Sequence, residues 1–283
     1  MTPAVRPPDV LAAIVEAARR GAEDRQATGD GRALERAAAA REPRRELFRA
    51  RLRRATGCNV IAECKRRSPS RGILRESYEP AQLAEGYAAA GAAAISVLTE
   101  PGFFDGALEH LTAVRAAVDV PVLRKDFLVI PYQVTEARAR GADAVLLIAA
   151  ALDGPALGTL IAAAGEAGLA ALVEVHDAEE LARALDAGAD VVGVNNRDLR
   201  TMRVDLETSH ALIGRIPDEV VAVAESGLRT AGDLEALRRA GYDAFLVGES
   251  FMTRRDPGAA LAELLGDVGA VPRGLRSGGG RAA

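Results

Sequence analysis

The sequence predicts an α/β protein built as a (β/α)8 TIM barrel with an N-terminal helical extension. Three observations lead there. From residue 58 to 266, eight short apolar runs alternate with helical patterns, the number of strand–helix units such a barrel needs. The runs are continuous, as in Ala144-Val145-Leu146-Leu147-Ile148, which marks strands of a parallel sheet buried on both faces. A repeat completes the case. Gly91-Ala92-Ala93, Gly141-Ala142-Asp143, Gly188-Ala189-Asp190 and Gly241-Tyr242-Asp243 recur roughly every 50 residues, two units apart, each Gly suited to a left-handed helix cap. No Gly-x-Gly-x-x-Gly follows any strand, which argues against a dinucleotide-binding sheet.

Composition narrows the class. The chain has 283 residues, enough for one large barrel. It is 49% hydrophobic but only 4% aromatic, without Trp, so its core must be built from Val, Leu, Ile and Ala. A net charge of -4 argues against a nucleic-acid partner. No apolar run approaches the ~18 residues of a membrane span and no signal peptide is evident, so a soluble, cytoplasmic protein without a membrane partner is expected. Cys58 and Cys64 match no metal spacing and cannot bridge within an extended strand. Cys64 is expected to be a small core residue.

Residues 1–57 are rich in Ala and Arg, with helical patterning in Leu11-Ala12-Ile14-Val15-Ala18 and again from Ala33 to Leu52. Gly29-Asp30-Gly31 separates two helices, and Pro43 marks a start, kink or break in the second. This segment reads as an extension packing on the barrel. The catalytic domain then spans 58–267, with strands expected at 58–64, 94–98, 120–124, 143–148, 170–175, 190–194, 220–224 and 243–247. Between them, Leu108-Leu111-Val118, Leu181-Ala184-Leu185 and Leu234-Leu237 show helical stripes. His110 and His210 are expected on helix surfaces, and His176, close after Glu174, in a loop before a helix, with a place at the border of the site as the alternative. The Gly/Arg-rich tail, 268–283, is expected to be disordered.

Chemistry in such barrels sits at the C-terminal ends of the strands, and polar residues gather there. In Val60-Ile61-Ala62-Glu63-Cys64-Lys65, alternation puts Ile61, Glu63 and Lys65 on one face and Cys64 on the other. Lys65 and Lys125 are the only lysines among 36 basic residues. Both lie at strand ends, where an amine that can give up its proton does what Arg cannot. With Glu63 and Glu174 they form a cluster able to supply an acid and a base near neutral pH. A second sub-site lies after strands 7 and 8. There Gly227 and Gly248 lead toward helix N-termini whose N–H groups suit an anion, with Ser68, Ser226 and Ser250 as further donors. Arg66 and Arg67 either attract an anionic substrate or are solvated.

These residues carry a resemblance. Ile61-Ala62-Glu63-Cys64-Lys65-Arg66-Arg67-Ser68-Pro69-Ser70 resembles the first-strand signature of indole-3-glycerol-phosphate synthases. The similarity continues through Leu98-Thr99-Glu100, Phe104-Asp105-Gly106, Leu123-Arg124-Lys125-Asp126-Phe127, Val173-Glu174, Gly193-Val194-Asn195-Asn196-Arg197-Asp198-Leu199, Ala224-Glu225-Ser226-Gly227 and Leu246-Val247-Gly248. It implies cyclisation of 1-(2-carboxyphenylamino)-1-deoxyribulose 5-phosphate to indole-3-glycerol phosphate with loss of CO2 and water, in tryptophan biosynthesis. No metal or organic cofactor is implied. By resemblance, Lys125 is the acid at the ketone oxygen and Lys65 pairs with the benzoate carboxylate. Glu174 and Glu63 handle protons, while Asn195 and Ser226 orient the substrate. Arg197 steadies its anionic end or a loop, and Pro69, Phe104 and Phe127 wall the aromatic ring. Ser68, Gly227, Gly248, the Glu249 backbone and Ser250 hold the phosphate. Glu249 stands where a small residue is common, so its side chain is expected to point away. The N-terminal helices are similar to an extension that packs over the barrel mouth. The expected partner is the small-molecule substrate alone, with the chain a monomer or weak homodimer. Two rivals stay open: a phosphoribosylanthranilate isomerase, for which Cys64 lies on the wrong face, and a non-catalytic phosphosugar-binding barrel, which needs neither the two lysines nor Glu174.

Overall fold

A computed structural model describes residues 10–55, 57–198, 201–269 and 271–276. Three helices come first: α1 (Val10–Thr28), α2 (Gly31–Ala39) and α3 (Arg45–Leu52). Eight strands follow: β1 (Asn59–Cys64), β2 (Ala94–Leu98), β3 (Val122–Lys125), β4 (Ala144–Ile148), β5 (Ala170–Val175), β6 (Val191–Asn195), β7 (Val221–Glu225) and β8 (Ala244–Val247). They form one closed parallel barrel in sequence order, β8 pairing back onto β1. The longer helices between and after them are α4 (Pro80–Ala89), α5 (Leu108–Ala117), α6 (Tyr132–Ala139), α7 (Gly154–Glu166), α8 (Ala178–Asp186), α9 (Glu207–Ile213), α10 (Ala231–Ala240) and α11 (Pro257–Asp267), with single turns at Pro101–Phe104 and Glu249–Met252. Among the described residues no helix is long and apolar enough to cross a membrane.

Strand alternation divides the apolar residues into two cores. Val60, Ala62 and Cys64 join the shell between strands and helices. Ile61, Leu123, Leu146, Leu172, Val191, Val223 and Leu246 fill the barrel interior, the layered packing of such barrels. Both cysteines are free and buried.

The repeat noticed in the sequence does two jobs. Its glycines, from Gly91 (φ 96°) to Gly241 (φ 118°), end helices in the left-handed region, where any side chain would be strained. Its aspartates then tie down the N-terminal rim. Asp143 accepts the backbone N–H of Val122 at 2.8 Å and pairs with Arg115 at 2.8 Å. Asp243 accepts the N–H of Ala222 at 2.9 Å and pairs with Arg276.

The extension is divided between the two ends of the barrel, whereas the sequence led us to expect all of it at the mouth. Leu11 and Ile14 of α1 reach a cavity at the C-terminal end. Phe48 and Leu52 of α3 are fully buried with the barrel-interior residues. Asn59, at the N-terminal start of β1, donates to Leu52 O at 2.8 Å, so α3 plugs the opposite end. The tail also departs from expectation. Arg276 is buried, donating to Gly241 O and Val220 O at 3.0 and 2.7 Å. Five donors in a rigid fork can satisfy several carbonyls at once, and this orders a segment whose composition promised none. Residues 277–283 lie outside the described residues.

Candidate active site

In four of the strands the interior apolar residue is followed two positions on, toward the C-terminal end, by a charged one. Ile61 is followed by Glu63, Leu123 by Lys125, Leu172 by Glu174, and Val223 by Glu225. Pairing sets these ends at one level: Ile148 lies beside Glu174, and Asn195 beside Glu225. Glu63, Lys65, Lys125, Glu174, Asn195, Glu225 and Ser226 consequently line one cavity of about 490 Å³. Space for the carboxylates comes from glycine. A Cβ at Gly193 would collide with Glu225 Oε1, and one at Gly248 with Glu63 Oε1.

Charge is balanced inside the cavity. Lys65 Nζ is 2.5 Å from Glu63 Oε1. Lys125 Nζ is 3.3 Å from Glu174 Oε2 and 3.9 Å from Glu225 Oε2. Burial is the largest influence on Lys125 and opposes its charge, but Glu174, Glu225 and Glu63 together outweigh it and raise the pKa. Burial likewise works against ionised Glu174. Lys125, then His176, and hydrogen bonds from Asn195 and Glu225 overcome it and hold the carboxyl below its usual range. Arg197 N–H donates to Asn195 Oδ1 at 3.0 Å, which leaves the Asn195 amide N–H groups for Glu174. Glu225 goes the other way: burial and then Glu174 push its pKa well up despite Lys125. Burial beside an ionised Glu174 thus favours the protonated form of Glu225.

The opposite wall suits an anion. Ser226 (φ 66°) and Gly227 (φ 83°) are both left-handed, which for Ser costs about 1 kcal/mol or more and needs support from its surroundings. Asn196 provides it, its Nδ2 donating to Glu225 O at 2.9 Å and Ser226 O at 3.1 Å. Gly227, Gly248, Glu249 and Ser250 line this part of the cavity. The Glu249 carboxylate is 3.0 Å from Arg71 and 3.5 Å from Arg197, so two arginines compensate its charge.

Phe104 and Phe127 face each other with ring centroids 6.3 Å apart. They line both the main cavity and a smaller one of about 90 Å³, which Ser68, Pro69, Leu11, Ile14 and Met202 complete. Ser68 and Pro69 thus stand in the adjoining cavity, away from Gly227 and Ser226. Arg66 and Arg67 are neither free nor simply solvated: both engage Asp105, at 2.8 and 3.6 Å. Leu199 lies outside the described residues.

Sequence reasoning passed over Glu225 and gave His176 a place beside the site only as the alternative reading. Glu225 was legible, since Val221, Val223 and Glu225 share the parity that sends Glu174 inward. His176 lies against Glu174, Nε2 to Oε1 3.5 Å, with Nδ1 3.0 Å from Glu180; its place two residues after Glu174 was the signal for that contact. His110 is half-buried against Tyr78, ring centroids 5.3 Å apart, while His210 is exposed as expected. Among the described residues no group of three or more His, Cys, Asp or Glu side chains is arranged to hold a metal.

Comparison with known proteins adds independent findings. The family model described as indole-3-glycerol phosphate synthase matches residues 11–264. The chain is 51% identical over 271 residues to the indole-3-glycerol phosphate synthase of Streptomyces griseus subsp. griseus, covering 96% of this chain and 99% of that one. To the protein of the same name from Rhodococcus jostii it is 49% identical over 263 residues, covering 93% and 97%. Among solved structures, 3-hexulose-6-phosphate synthase from Salmonella typhimurium superposes with a TM-score of 0.59 at 15% identity, over 75% of this chain and all of that one. That similarity speaks to the fold alone.

Proposed function

The chain belongs to the indole-3-glycerol phosphate synthase family, and from that premise we propose how its cavity carries out the family's reaction. The protein is a carboxy-lyase of tryptophan biosynthesis that forms indole-3-glycerol phosphate. Its substrate, in this reading, is 1-(2-carboxyphenylamino)-1-deoxyribulose 5-phosphate, a small phosphosugar derivative. The observation that carries the assignment is the meeting of two ammonium groups and three carboxyls around one cavity, with a glycine-flanked wall opposite.

The ring carbon bearing the carboxylate attacks the ketone carbon. Lys125, charged and held by Glu174, donates a proton to the ketone oxygen. Lys65 pairs with the substrate carboxylate until it leaves as CO2, then assists dehydration. Glu174 and Glu63 move protons as the hydroxyl departs and the new ring becomes aromatic. Glu225, whose carboxyl burial and Glu174 push toward the protonated form, tempers the basicity of that carboxylate. Asn195 and Ser226 orient the substrate. Phe104, Phe127 and Pro69 enclose its aromatic ring, with Ser68 at the mouth. The phosphate rests on the backbone at Gly227, Gly248, Glu249 and Ser250, with Arg197 steadying the anionic end.

Residues 1–57 serve as an extension and 58–267 as the catalytic barrel. We assign the protein to the cytoplasm, working as a monomer or weak homodimer. The test is direct: the purified chain, given this substrate, should produce the indole fluorescence of the product. A folded protein that produces none refutes the assignment.

A further inference from the structure

The reaction proposed above consumes a proton, and the inference that follows rests on that reading. Two protons enter at the ketone oxygen, which departs as water. One leaves the methylene carbon beside the nitrogen as the ring becomes aromatic. The carboxylate departs as CO2, leaving its bonding electrons behind and needing no proton. One proton per turnover must therefore come from solvent, yet the groups that exchange protons with the substrate are buried, Glu174 at 2% exposure.

A chain of groups bridges that gap. His176 lies just beyond β5, two residues after Glu174. Its Nδ1 is 3.0 Å from Glu180 Oε2, and the same oxygen accepts its backbone N–H at 2.8 Å. Facing a carboxylate acceptor, Nδ1 carries the hydrogen. Nε2 is then the exchangeable site. It is buried without a hydrogen-bond partner and is aimed at Glu174 Oε1, 3.5 Å away. The other Glu174 oxygen faces Lys125 Nζ at 3.3 Å. The side chains of His176 and Glu180 are 13% and 14% exposed, so the outer end of the chain meets solvent. A closure of about 0.5 Å would complete the inner contact, and such contacts often tighten only when substrate binds.

We propose that His176, oriented by Glu180, relays a solvent proton to Glu174 once per turnover. In the transfer the Nε2–H bond breaks as a Glu174 Oε1–H bond forms. The imidazole is left neutral with its hydrogen on Nδ1; because Nε2 is buried, the ring then turns toward its exposed side, takes a solvent proton at Nε2 and swings back. The groups facing the ring are Glu180, Glu174 and Lys125. Burial opposes its charge, the two carboxylates favour it, Lys125 disfavours it, and the balance raises the pKa, which favours the protonated ring as donor. His176 does not touch substrate in this scheme; it positions and recharges the carboxyl that does.

The experiment compares the parent with His176→Asn and Glu180→Gln, in steady state and in single turnover, across pH. His176→Asn should lower kcat by at least about tenfold with KM within about twofold, and added imidazole should restore the rate in proportion to its concentration. Glu180→Gln keeps an acceptor for Nδ1 but removes a negative charge, so the ring's limb of the pH profile should move to lower pH. Parent kcat and an unchanged pH profile in both variants would overturn the relay. So would a loss that imidazole does not restore and that tracks a lower unfolding temperature. If His176→Asn does not fold, the Glu180→Gln profile decides alone. A parent that makes no indoleglycerol phosphate refutes the function, whereas an active parent with indifferent variants refutes only the relay.

Discussion

Lys125 holds its proton because carboxylates surround it, not because it escapes burial. An acid poised this way must release the proton at one stage and recover it later, which a guanidinium does not do. Lys125→Arg keeps the charge and the Glu174 partner, yet turnover should fall by on the order of 100-fold or more, measured by indole fluorescence. A near-parent rate would remove the lysine from that role. Glu225 offers a thermodynamic test. Its folded pKa is raised, so its contribution to stability is fully present below the unfolded value of about 4.3 and is lost as pH rises toward the folded value. Glu225→Gln mimics the protonated form. The variant should match the parent's unfolding free energy near pH 4 and exceed it increasingly at neutral and alkaline pH. Urea titrations at several pH values would show this, and a pH-independent difference would contradict it.

At the scale of elements, the two ends of the extension do different work. Helix α1 touches the mouth through Leu11 and Ile14. It is joined to α6 by Arg25 and Glu136, 2.7 Å apart, and Glu136 in turn binds the buried Arg124 beside Lys125. A peripheral helix of this kind can open without melting the barrel. Ile14→Ala should therefore raise KM severalfold with little change in the global unfolding midpoint. Helix α3 fills the barrel floor with Phe48 and Leu52, both 0% exposed. Phe48→Ala should cost about 3–5 kcal/mol and leave KM unchanged. Paired measurements of KM and urea stability on the two variants would distinguish lid from plug; the reverse pattern would exchange the roles.

Across the whole molecule, the chain's last described turn closes back on its beginning. Arg276 pairs with Asp243, and Arg238 donates to Val271 O at 2.9 Å and Ala55 O at 2.9 Å. These contacts bind the tail, the barrel floor and the link after α3 into one rim. Arg276→Ala leaves Asp243 buried with less compensation, and a loss of about 3 kcal/mol is expected, read as a lower urea midpoint with an unchanged rate. An unchanged midpoint would mark the tail as incidental.

The eight strands, their parallel order and most of the charged residues facing the cavity were legible in the chain. Burial on both faces writes itself as continuous apolar runs, and alternation assigns an inward parity to Glu63, Glu174 and, had it been followed, Glu225. Those signals are local, spanning a strand or a helix cap. What only tertiary structure decided depends on groups distant in sequence: why the Glu174 and Glu225 pKa values move in opposite directions, where Glu249 finds two arginines, how His176 comes to face Glu174, and why Arg276 orders a tail of disordered composition. Periodicity reports which face is buried, but a charge's state depends on its neighbours across the barrel, and the closed fold alone brings them within a few ångströms.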